Sequence, residues 1–138
     1  MPHWRQYAHE ADVGIEGMGD SLAEAFAQAA IALTAVITDP DRVRPVQEVE
    51  ITCAAPDDEL LFVDWLNALI YAMAERKMLF SHFEVNIENH RLHAWVRGEP
   101  LQPERHRPAV EIKGATYTTL RVYQDEQHTW HVQTVVDV

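Results

Sequence analysis

Two stretches of this sequence place apolar residues at three- and four-residue intervals, while most of the rest places them at intervals of two. That contrast bounds the fold more tightly than any motif. In the first stretch Leu22, Phe26, Ala29, Ala30, Leu33 and Ile37 draw one apolar stripe. Ser21 and Glu24 have the spacing of a capping box, in which each side chain satisfies a free backbone N–H at the helix start. Asp39-Pro40-Asp41 ends the run, because proline cannot continue the hydrogen-bond ladder. The pattern predicts a helix over 21–37. In the second stretch Leu61, Trp65, Leu66, Leu69, Ile70 and Met73 share one face behind Asp57, a natural N-cap, and predict a helix over 58–76.

Between and after the helices the period is two. Val49, Ile51 and Cys53 alternate with Glu50 and Thr52. Phe83, Val85 and Ile87 repeat the pattern, and a turn at Asn89-His90 returns the chain through Leu92, Ala94 and Val96. Strands are also predicted over 110–112, 116–123 and 129–136, with a polar turn over 124–127; Pro100, Pro103 and Pro108 mark the loop before them. Helices and strands are segregated, which points to an α+β two-layer sandwich with two long amphipathic helices on a mixed β-sheet. At 138 residues the chain is expected to form a single domain over 1–138 without disulfide or structural metal.

Charge excludes one class of function. Eleven basic residues against 22 acidic ones leave a net charge of −11, which repels RNA and DNA rather than gripping them. A mild basic island, Arg91, Arg97, Arg105 and Arg107 with His90, His93 and His106, reads as a solvated face or as a contact patch for an acidic partner. No apolar run approaches the roughly 20 residues of a membrane span, residues 1–6 lack a signal-peptide core, and Cys53 is the sole cysteine. A cytoplasmic protein with no membrane association is expected.

Familiar catalytic signatures are missing. Gly14, Gly17 and Gly19 lack the lysine of a phosphate loop and read as strand and turn geometry, and Cys53 lies on the apolar phase of its strand. His9 reads as structural. Carboxylates sit where the fold does not need them: Asp12 just before an apolar strand, and Asp137 after Val135-Val136 with the terminal carboxylate of Val138 beside it. If the first and last strands end together, these oxygens suit a hard cation; otherwise they are solvated strand ends. Asp20 helps cap the first helix. Lys113, between an apolar strand and a Gly-Ala bend, is either a surface lysine or a group that reaches a phosphate or carboxylate.

Several segments in order carry a resemblance across nearly the whole chain: His9-Glu10-Ala11-Asp12-Val13-Gly14-Ile15, Ser21-Leu22-Ala23-Glu24-Ala25-Phe26, Asp64-Trp65-Leu66-Asn67, Glu111-Ile112-Lys113-Gly114-Ala115-Thr116-Tyr117 and Val135-Val136-Asp137-Val138. In these the chain resembles the archease family, small protein partners of RtcB-type RNA ligases. The resemblance implies an accessory protein rather than an enzyme. It would promote GTP-dependent guanylylation of the ligase and its multiple turnover in tRNA splicing or RNA repair, meeting RNA and GTP only through the ligase. It also implies a divalent-metal site at Asp12 and Asp137, joined here by Val138, with calcium first and magnesium or manganese as alternatives. Lys113 falls on the family lysine and would assist guanylylation. Glu10 stands where the family more often has threonine, and Gly114 departs from the pattern after the lysine. Two rival readings are a chaperone-like interaction module and a stand-alone metal-dependent enzyme.

Overall fold

A computed structural model describes residues 2–138; Met1 lies outside the described residues. The chain runs β1 (His3–His9), β2 (Asp12–Gly19), α1 (Leu22–Ile37), a 3-10 turn (Pro40–Arg42), β3 (Gln47–Ala54), α2 (Asp58–Arg76), β4 (Met78–Glu88), β5 (Arg91–Pro100), α3 (Pro103–His106), β6 (Gly114–Ala115), β7 (Arg121–Gln124) and β8 (Trp130–Asp137). The class is α+β, with the helices packed on two sheets. The single mixed sheet expected from the sequence is corrected: one sheet has the order β1-β2-β8-β6 with β7 also on β8, and the other the order β3-β5-β4. Every pairing among the described residues is antiparallel. Short turns make the hairpins β1–β2 and β4–β5, and such connections join only antiparallel strands.

Helix α2 matches its sequence pattern. Asp57 caps it by accepting from the Leu60 N–H at 2.8 Å, Trp65, Leu66 and Leu69 are buried, and Asp64, Asn67 and Tyr71 face solvent. Its last carbonyls meet Lys77 in the left-handed region at φ 53°. Helix α1 buries its expected apolar stripe and is enclosed more fully than α2, none of its residues being exposed. Both sheets and α2 enclose it. The buried alanines 25, 29, 30 and 32 let its neighbours approach closely. At Gly17 of β2, a Cβ would lie 2.2 Å from the Ala25 carbonyl oxygen and 2.4 Å from the Ala29 nitrogen. The capping pair forms in altered shape: Ser21 accepts from the Glu24 N–H, while Glu24 reaches one residue beyond the cap to the Asp20 N–H.

Two further corrections concern the C-terminal third. Residues 110–112 form no strand; they cross the helix ends, where the Ala109 N–H donates to the Ile37 carbonyl at 2.8 Å and Ile112 plugs the core. The strand expected over 116–123 forms only from Arg121, in β7; residues 116–120 are a loop after the short β6, and threonines hold it. Thr116 Oγ1 donates to the Val135 carbonyl, and Thr134 Oγ1 to the carbonyls of Thr116 and Thr118. Side-chain hydroxyls thus take over bonds that a ladder would supply. Strand β1 had no sequence signal, since it is a largely exposed edge with a polar composition. Part of the basic island is a face of surface polar pairs, His90 with Asp58, His93 with Glu50 and Arg97 with Glu48, while Arg105 and His106 turn to the buried Glu99.

One buried polar knot ties β5 to the segments around it. Glu99, 2 % exposed, accepts from Arg105 at 2.5 Å, from the Arg44 N–H at 2.7 Å and from His106 Nε2 at 3.0 Å. His106 Nδ1 accepts from the Gln102 N–H at 2.9 Å, so the ring proton sits on Nε2 and points at Glu99. The Arg105 guanidinium, against the opposing pull of burial and with help from Arg44 and His106, holds the Glu99 carboxyl far below the usual range. A depressed carboxyl stabilises the fold above its unfolded pKa of about 4.3 and loses that contribution as pH falls toward its folded value. Urea denaturation of Glu99→Ala should therefore show a loss of about 3–5 kcal/mol at pH 7, and a gap from wild type that narrows below about pH 4. Gly17→Ala should cost about 1–3 kcal/mol or more, because backbone rather than a flexible side chain must move; a thermal melt reads the loss.

Candidate functional site

The sequence left open whether the first and last strands end together, and sheet register answers it. Strand β2 runs beside β8 from Val13 opposite Val136 to Gly19 opposite Trp130. Asp12 and Asp137 are the next residues outward, one on each strand, at the same end of the sheet. The chain reaches Asp12 through the two-residue turn Glu10-Ala11, with His9 opposite Asp12 across the hairpin. On the far side of β8, Gly114 pairs with Asp137 and the Lys113 N–H donates to the Asp137 carbonyl at 2.8 Å. Residues 12, 113 and 137 therefore meet at one sheet corner although more than a hundred positions separate the first from the others.

Their environments differ. Asp12 is half-buried, and its Oδ1 faces the Val138 N–H at 3.4 Å, a long contact that draws the end of β8 toward the aspartate. The Val138 side chain packs on the core. Asp137 and Lys113 are exposed. Glu10 sits exposed at the turn apex with φ 53°, pointing to the solvent-facing role for its extra charge. Asp20 is exposed at the opposite end of β2 beside the start of α1, where its N–H meets Glu24; the structure does not bring it to the corner.

The donors at the corner are all oxygen, which suits a hard cation and not a thiophilic one. Among the described residues, no three His, Cys, Asp or Glu side chains cluster closely enough to hold a metal ion. A cation here would have to draw on the two aspartates and an oxygen of Val138, with water completing its shell as calcium and magnesium accept. The chemistry of the donor set fits such an ion. Lys113 joins the corner through its backbone, its N–H bonded to the Asp137 carbonyl, while its side chain is exposed.

Other candidates fall away. Cys53 is half-buried in β3, where burial first and the Asp64 charge second push its thiol up to about 11, far from a nucleophile's range. A groove of about 590 Å³ lies between the C-terminal half of α2 and residues 108–112, lined by Met73, Ala74, Lys77, Val110, Glu111 and Ile112. It is mainly apolar and brings no pair of carboxylates together. One residue that the sequence reading assigned no role does touch the site: Asn67 of α2 accepts from the Ala115 N–H at 2.9 Å. Its signals in the sequence are its place in the matching segment Asp64-Trp65-Leu66-Asn67 and its polarity on the solvent face of α2.

Gly114 needs no special backbone. It does not take positive φ, and an added Cβ would meet only Asn67 Oδ1 at an ordinary 3.7 Å. Gly114→Ala should therefore fold normally and gain up to about 1 kcal/mol by restricting the unfolded chain, a small rise in melting temperature.

Comparison with known proteins agrees with this architecture. The Archease protein family profile matches residues 4–138. The protein archease of Pyrococcus abyssi is 37% identical, that of Methanopyrus kandleri 36% and that of Pyrococcus furiosus 34%, each alignment covering 100% of both chains. The solution structure of Methanobacterium thermoautotrophicum protein 1598 superposes with a TM-score of 0.79 over 98% of each chain at 23% identity, a likeness of fold.

Proposed function

The chain belongs to the archease family, and from that premise we propose that it is an accessory factor that activates an RtcB-type RNA ligase. It promotes GTP-dependent guanylylation of the ligase and restores it to multiple turnover in tRNA splicing or RNA repair. The observation that carries the reading is the corner where Asp12, Asp137 and Lys113 meet from three separated parts of the chain. Carboxylates at strand ends are ordinary; two of them brought beside a lysine in a chain with two lysines are not.

The corner works by electrostatics and position. A ligase pocket that holds RNA and GTP is electropositive, and a protein of net charge −11 meets it with complementary sign. Asp12 and Asp137 with Val138 would hold a divalent ion, calcium first and magnesium or manganese as alternatives. When bound, that ion supplies positive charge for phosphate oxygens. Lys113 stands at the solvent edge, where its ammonium can neutralise charge that develops on a phosphate during transfer. Main-chain pairing of residues 113 and 114 with Asp137 keeps the backbone that carries Lys113 at the corner. RNA is met only through the ligase.

The test is guanylylation of the cognate ligase with GTP and a divalent metal, with wild type compared against Asp12→Ala, Asp137→Ala and Lys113→Ala. All three side chains lie at the surface or half-buried, so the variants should keep the wild-type circular dichroism. Wild type should stimulate the ligase, and each variant should lose at least about tenfold, or 1.4 kcal/mol of transition-state stabilisation. Folded variants that stimulate fully would favour a chaperone-like module whose carboxylates have only structural roles. Turnover of a phosphorylated substrate by the pure protein would favour an independent enzyme.

A further inference from the structure

Resting on the reading of Lys113 above, we infer that Asn67 is a positioning residue that holds Lys113 against the carboxylate corner from outside the sheet. Ile112 is buried before Lys113 and Ala115 packs on the core after it, and the backbone between them is set by its hydrogen bonds. Strand β6 is two residues long and lies at a sheet edge, and residues 107–113 before it have no regular structure. Gly114 contributes no side chain to packing. Strand β8 supplies bonds on one side, through Asp137 and Val136. On the other side stands Asn67, whose Oδ1 accepts from the Ala115 N–H at 2.9 Å.

The amide's orientation follows from its partner: a backbone N–H only donates, so the atom facing it is the oxygen. The post behind this oxygen is rigid. Trp65, Leu66 and Leu69 around Asn67 are all 1% exposed or less, and the Trp65 indole N–H donates to the Phe26 carbonyl of α1. A single amide on an otherwise solvent-facing position thus transfers the placement of the core to the backbone two residues beyond Lys113. Asn67 itself does not reach the corner; it acts through the segment it anchors.

The experiment uses the full chain with Asn67→Leu, which removes the acceptor at similar size, and Asn67→Asp, which keeps it. In the pure protein, amide hydrogen exchange at Lys113 should quicken at least about tenfold in Asn67→Leu, with Val13 and Val132 of the central strands unchanged. Asn67→Asp should restore protection. In ligase guanylylation, Asn67→Leu should lower maximal stimulation toward that of Lys113→Ala while the half-saturating concentration stays at the wild-type value. Adding Asn67→Leu to Lys113→Ala should cost nothing further, because both changes remove the same contribution. Unchanged exchange at Lys113, full stimulation by Asn67→Leu, or losses that add in the double variant would each overturn the inference. If Lys113→Ala itself stimulates fully, the reading of Lys113 fails, and exchange at Lys113 then decides by itself whether the tether exists.

Discussion

The pairing of β2 with β8 is the constraint on which the rest of the molecule depends. It joins residues near the two ends of the chain in register, from Val13 with Val136 to Gly19 with Trp130. Such a long closure carries a large entropic cost before any contact rewards it. The reward comes from burial. Ile15, Val132, Thr134 and Val136 are at most 1% exposed once the two strands lie side by side beneath α1. Gly17 then lets α1 settle onto the sheet with its own backbone as the contact surface. With that helix enclosed, the second sheet and α2 have a core to close over: Phe26 packs edge-on against Phe62, and the Thr34 hydroxyl donates to the Phe80 carbonyl.

The same pairing makes the functional corner. Strands whose inner positions are apolar end in residues released from packing, and at that end both strands carry aspartate. Charge that would be costly inside is tolerated where the sheet stops. The corner is also where the chain's irregular segment returns, so Lys113 arrives on the far edge of β8 without any long-range signal of its own. Accessory action suits such a surface. The corner offers charged groups at an open sheet edge rather than in a water-excluding cleft.

The second sheet is held by different means. Its acidic and basic residues are largely spent on each other: Glu48 with Arg97, Glu50 with His93, and the buried Glu99 with Arg105, Arg44 and His106. Exposed pairs of this kind contribute little stability. The Glu99 knot differs because the Glu99 carboxylate and the His106 ring are buried and each is satisfied, so it specifies where α3 and the segment after the 3-10 turn must sit. What resembled a basic island in the sequence is therefore mostly internal bookkeeping of charge across neighbouring strands.

Much of this was legible without coordinates. Helix α2 has the expected bounds, and the hairpin at Asn89-His90 forms where the alternating pattern and turn residues place it, because local periodicity and capping are local physics. Asp12, Asp137 and Lys113 could be singled out as residues without a packing reason, with Val138 added for its terminal carboxylate, and the family resemblance tied them together. Other features are decided only by tertiary structure. That α1 is enclosed more fully than α2 depends on what packs against its alanines. That residues 110–112 are not a strand depends on a helix end offering the Ile37 carbonyl to Ala109. The loop over 116–120 rests on threonine hydroxyls that find partners across the sheet, and the edge strand β1 is recruited by its neighbour rather than by its own composition. The sequence by itself determined which segments are helical, which alternate, and which charged residues stand idle. Only the fold decided which idle residues meet, because register between distant strands is set by the burial of the whole sheet and not by any residue in the site.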